Sequence, residues 1–158
     1  MNDLPLFETW DQLTSVVPPF VVRCGAAALC GAMIGLEREL KRKPAGFRTN
    51  ILICVGAAIY MSAGLLLVHA GGEQGDPARI AAQVVTGVGF LGAGSILQSG
   101  GVVTGLTTAA TIWVVASIGL VAGAGFPLLA VCAAVLVLLT LVVLGRFEKS
   151  VLELEGPR

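Results

Sequence analysis

Hydrophobic residues come in long blocks, not in the short alternations of a water-soluble domain. From residue 80 to residue 145, 66 consecutive positions hold no Asp, Glu, Lys, Arg or His. At a rise of about 1.5 Å per helical residue and about 20 residues per crossing, that run holds roughly three membrane helices. Two further apolar blocks precede it, and the pattern predicts spans at 20–36, 50–68, 80–97, 106–123 and 127–144. The expected fold is all-α, a polytopic transmembrane helix bundle of about five spans. Ahead of it, in an N-terminal segment 1–19, Phe7, Trp10, Leu13 and Val17 recur at three- and four-residue steps. That stripe predicts a short interfacial helix ending at Pro18-Pro19. One transmembrane domain, 20–145, follows, and 146–158 forms a tail.

Composition supports a bilayer as the solvent. Hydrophobic residues make up 56% of the chain and charged residues 13%, which leaves too little polar surface to coat a soluble globule. The net charge is zero, but five of the ten basic residues (Arg38, Lys41, Arg42, Lys43 and Arg48) fall in one short loop. That cluster is short and tied to apolar spans, which excludes a nucleic-acid partner and predicts a cytoplasmic loop. Arg146, Lys149 and Arg158 place the C-terminus on the same side, and five spans then put the acidic N-terminus outside. No Lys or Arg precedes Arg23, so the basic start of a cleavable signal peptide is missing and the first span is expected to be retained. Arg23 itself is expected to snorkel outward.

Glycine is the other conspicuous component. GVGFLG at 87–92 matches the glycine spacing of dinucleotide-binding turns, but no carboxylate follows until Glu148, so that reading fails. In an apolar span such glycines let helix backbones approach, and Gly31, Gly35, Gly87, Gly89, Gly92 and Gly94 are the expected packing positions. Ala27, Gly119 and Gly123 extend the same four-residue spacing.

The predicted topology brings polar residues to one depth near the cytoplasmic side. Glu37 and Arg38 end the first span, Arg48 and Asn50 open the second, and Thr107 and Thr108 open the fourth, with Ser95, Gln98 and Thr104 beside them. Polar groups inside a bundle are functional candidates by default. If the first helix runs to the residue before Pro44, Glu37–Lys41 and Glu39–Lys43 form four-residue pairs. Glu37 and Arg48 are expected to approach across the turn. Catalysis is not expected, because the lone histidine, His69, has no evident partner. The four cysteines lie inside apolar spans at spacings that fit no metal site. No cofactor and no dedicated metal cage are expected.

These residues resemble the membrane domain of the MgtC/SapB family from about Arg23 to Gly125. The matching pieces are GLERE at 35–39, KPAGFRTN at 43–50, DPARIAAQVVTGVGFLGAG at 76–94 and GLTTAATIW at 105–113. The resemblance implies a bacterial inner-membrane protein connected with growth at low magnesium and with survival in hosts. It also implies a membrane partner, a membrane ATPase complex being one class, or a second copy of the chain. Larger members carry a soluble C-terminal domain, and the resemblance here is to the short, membrane-only form. Two functions compete: a partner-binding regulator, and a transporter or ion-binding protein for Mg2+ or another small solute. They differ in whether the polar layer lines a wet cavity or is packed shut.

Overall fold

The computed structural model describes residues 10–70 and 76–154, without the side chains of 10–13, 69, 70, 149 and 151–154. The described chain forms α1 (Trp10–Leu40), α2 (Phe47–Ala70), α3 (Pro77–Gly94), α4 (Leu106–Gly123) and α5 (Pro127–Leu154). A hairpin of β1 (Leu97–Ser99) and β2 (Val102–Thr104) joins α3 to α4. The fold is an all-α bundle. Four segments, 14–40, 47–68, 106–123 and 127–148, are long and apolar enough to cross a membrane.

The third expected span differs. α3 has 18 residues and carries Arg79, Gln83, Thr86 and four glycines, so it is not among those four. Packing nevertheless makes it traverse the bundle. Gly119 lies against Cys54 and Gly123 against Ala58, so α2 and α4 run in the same direction. The chain must therefore return between them, and α3 makes that return, with Gly92 beside Ala109 near the start of α4. Its length, about 27 Å at 1.5 Å per residue, nearly matches a hydrocarbon layer of about 30 Å.

Local signals set the ends. Asp76 caps α3 by accepting from the Ala78 N–H at 2.9 Å, with Pro77 in the first turn. The helix stops at Gly94 and does not reach Leu97, because Leu97 enters the hairpin. Gly100 (φ 58°) and Gly101 (φ 84°) form its two-residue turn, both left-handed as a type I′ turn requires. At the far end of α4, Gly125 (φ 98°) closes a Schellman turn, with Phe126 N bonding to Val121 O and Gly125 N to Ala122 O.

α1 also departs from expectation, running through Pro18 and Pro19 without a break. Proline's fixed φ is compatible with a helix, and the cost lies in the missing N–H groups and in crowding of the preceding turn. Residues 14–19 are all exposed, so that turn has room to adjust. Residues 4–9 of the expected interfacial stripe lie outside the described residues, as does the side chain of His69.

The interior is built largely from small residues, set around a few branched ones such as Ile34 and Val115. Ala27, Cys30, Cys54, Ala58, Ala122 and Ala134 are buried, whereas Leu52, Leu67, Phe90, Leu128 and Phe147 point outward. Large apolar side chains gain nothing by leaving lipid for protein, so helix association in a bilayer favours close backbone approach. α4 lies at the centre and touches every other helix.

Candidate functional site

The expected polar layer separates into a buried half and an exposed half. Glu37, Arg38, Asn50 and Thr108 are buried, together with Thr111. Arg48, Thr107, Gln98 and Thr104 are exposed, and Ser95 is half-buried. Helical phase explains the division: residues two apart project about 200° from each other, so with Asn50 turned inward Arg48 must turn outward. Arg48 lines a surface hollow of about 550 Å³ with Glu39, Pro44, Phe47 and Thr49. The expected Glu37–Arg48 pair does not form.

Glu37 finds its partners beside it at the end of α1, Arg38 on the helix and Lys41 one residue past it. Its Oε2 takes the Arg38 Nε–H, and Oε1 lies 2.6 Å from Lys41 Nζ in an ion contact outside regular hydrogen-bond geometry. Lys41 Nζ also donates to Leu141 O of α5 at 3.2 Å. Gly145, one turn beyond, leaves room for the ammonium group. The cluster thus joins the end of α1 to the middle of α5. One carboxylate facing two cations gives it a net charge of +1.

The turn between α1 and α2 holds the second part of the site. α1 ends at Leu40, earlier than expected, because Arg42 adopts a left-handed φ of 53°. Lys43 N bonds to Arg38 O and Arg42 N to Glu39 O, another Schellman closure. Ending there changes the role of Glu39: instead of pairing with Lys43, it accepts from Phe47 N at 2.9 Å and caps α2. Asn50 fastens the turn from within. Its Nδ2 donates to Ala45 O and Gly46 O, both at 2.8 Å, and its Oδ1 has no hydrogen-bond donor among the described residues.

Glycines close the layer, though not all those expected. A Cβ on Gly31 would lie 2.7 Å from Asn50 O, and one on Gly35 would lie 2.9 Å from Phe47 Cα. α1 therefore rests on the backbone of α2. Gly119 and Gly123 bring α4 onto α2 in the same way. By contrast, Gly87, Gly89 and Gly94 have nothing within 4 Å of a Cβ position, and Gly92 makes ordinary contact with Ala109. Gly87 and Gly89 stand two residues apart and cannot share a packing face, whereas the 31/35 and 119/123 pairs repeat every four residues on one stripe.

A second set of polar contacts at the opposite end was not anticipated. Arg23 does not snorkel: its Nη1 donates to Gly123 O at 3.2 Å, and Ser62 Oγ donates to the same carbonyl at 3.0 Å. Both satisfy the orphaned C-terminal end of α4. Thr111, likewise missed, donates to Thr107 O at 2.7 Å. The signal for Thr111 was available, since it lies one turn beyond Thr107 and Thr108.

With this geometry in place, the comparisons decide the kinship. A family model described as the MgtC family matches residues 25–150. The chain belongs to the MgtC family. A protein named putative magnesium transporter YhiD, of Escherichia coli K12, is 47% identical over 129 residues, covering 77% of this chain and 59% of that protein. Protein MgtC of Salmonella typhimurium LT2 is 45% identical over 107 residues, covering 68% of this chain and 44% of that protein. An uncharacterised Haemophilus influenzae protein is 45% identical over 121 residues, covering 73% and 51%. The chain spans about half the length of the curated relatives it matches, and no solved structure matches it. The matched region of this MgtC-family chain contains Glu37, Arg38, Asn50, Thr108 and the close-contact glycines, so the buried layer lies within the part it shares with the family.

Proposed function

We propose that this MgtC-family chain is a bacterial inner-membrane regulator in adaptation to low magnesium, acting by packing against another membrane protein and not as a conduit. The observation that carries this reading is the engagement of the only buried carboxylate among the described residues, Glu37, by both Arg38 and Lys41. A dication about 6 Å from that net +1 cluster meets a repulsion of about 5 kcal/mol at an effective dielectric near 20. Gly31 and Gly35 add to it by closing α1 onto α2 beside the layer. The basic 41–48 loop faces the cytoplasm in this reading, following the positive-inside rule.

Transport is the alternative, favoured by the name of the Escherichia coli relative. Purified protein reconstituted into liposomes that enclose a magnesium-sensitive dye separates the two. The expected signal on adding Mg2+ outside equals that of protein-free liposomes, while the same chain supports growth of a deletion strain at low magnesium. A protein-dependent, saturable influx overturns the regulator reading.

A further inference from the structure

A groove of about 730 Å³ runs between α2 and α3, away from the buried polar layer. Its walls are Leu52, Ile53, Ala57, Val84, Val88 and Leu91, and its polar groups, Arg79, Gln83 and Tyr60, gather toward one end. From Arg79 to Leu91 the helix rises about 18 Å, close to the roughly 15 Å hydrocarbon depth of a single leaflet. Gly56 and Gly87 line it from opposite helices, and neither has an atom within 4 Å of a Cβ position. The two missing side chains keep the groove open and contribute nothing to helix contact. Arg79 is exposed and has no ion pair among the described residues.

We propose that this groove binds one anionic phospholipid of the surrounding bilayer, its acyl chain along Val84, Val88 and Leu91 and its phosphate at Arg79. The apolar wall matches the length and chemistry of an acyl chain. The phosphate supplies an anion that Arg79 lacks among the described residues, with the Gln83 amide and the Tyr60 hydroxyl available as further donors. The lipid comes from the leaflet on the side of the 71–76 link, opposite the basic 41–48 loop.

The test uses the purified full chain in detergent with added phosphatidylglycerol or phosphatidylcholine, retained lipid being counted by native mass spectrometry. The wild-type chain is expected to keep one phosphatidylglycerol that Gly56→Leu/Gly87→Leu loses, with equal helicity and melting temperature, because both leucines enter open space. Arg79→Gln leaves the packing untouched and is expected to lower the preference for phosphatidylglycerol over phosphatidylcholine about five-fold. Equal lipid retention by the wild-type and filled chains overturns the proposal, as does a headgroup preference unchanged by Arg79→Gln. A wild-type dimer that the leucines dissociate without changing lipid retention overturns it as well, and assigns the groove to a second copy of the chain.

Discussion

Gly119→Leu is expected to abolish accumulation of the folded bundle, whereas Gly89→Leu leaves yield and melting temperature unchanged. A side chain at Gly119 overlaps the Cys54 carbonyl and the Ala57 methyl of α2, and neither can retreat without moving a helix that also rests on α1. Overpacking of a well-packed core costs about 1–3 kcal/mol, and a clash with backbone on a central helix belongs at or above the top of that range. Gly123→Leu behaves in the same way, since its Cβ would lie 2.8 Å from Ala58 Cα. Gly92→Leu falls between, because Ala109 has room to touch a Cβ but not a branched side chain. Yield of monodisperse protein in detergent ranks the four variants. Equal losses at Gly89 and Gly119 would show that α3 packs where the structure leaves it open.

Removing one member of the Glu37–Arg38 pair is expected to have the second large effect. Both side chains are buried, so Glu37→Met leaves a guanidinium without its carboxylate and Arg38→Met leaves a carboxylate with only the exposed Lys41. Losing one partner of a buried pair costs about 3–5 kcal/mol, while replacing both with apolar residues is often close to neutral. The double variant Glu37→Met/Arg38→Met is therefore expected to recover most of the stability that either single change loses. Arg48→Gln is expected to shift stability by no more than about 0.5 kcal/mol, because Arg48 lies on the outer face of α2. Reversible unfolding in mixed micelles measures all four variants. Additive losses at Glu37 and Arg38, or a large loss at Arg48, would contradict the pairing described here.

Most of the bundle was legible in the sequence because a membrane span announces itself by length and composition. The expected 50–68, 106–123 and 127–144 fall within or match α2, α4 and α5. The expected ends failed where a short-range device took over. Gly100-Gly101 turned the chain into a hairpin that Leu97 joins, and Arg42 closed α1 before Lys43. Pro18-Pro19 misled in the other direction, since proline reads as a break although an exposed turn can accommodate it. Within the site, depth was legible and direction was not. Asn50 and Arg48 lie at one level, but helical phase turns only one of them inward, and Glu37 meets Lys41, just past the end of α1, before it meets anything across the loop. For the glycines the discriminating signal was spacing: four-residue steps mark a stripe, while the 87–94 glycines are spread around α3 and leave two of its faces open.

Access of water to the buried layer separates a packed bundle from a conduit. Single cysteines at Thr108 and Arg48 can be exposed to a charged, membrane-impermeant thiosulfonate in membranes opened to reagent on both faces, against the background of the native thiols. Arg48→Cys is expected to react to completion, while Thr108→Cys is expected to show no labelling above the wild-type chain. Labelling of Thr108→Cys at a rate comparable to Arg48→Cys would reveal an aqueous path into the layer and contradict a packed, non-conducting bundle.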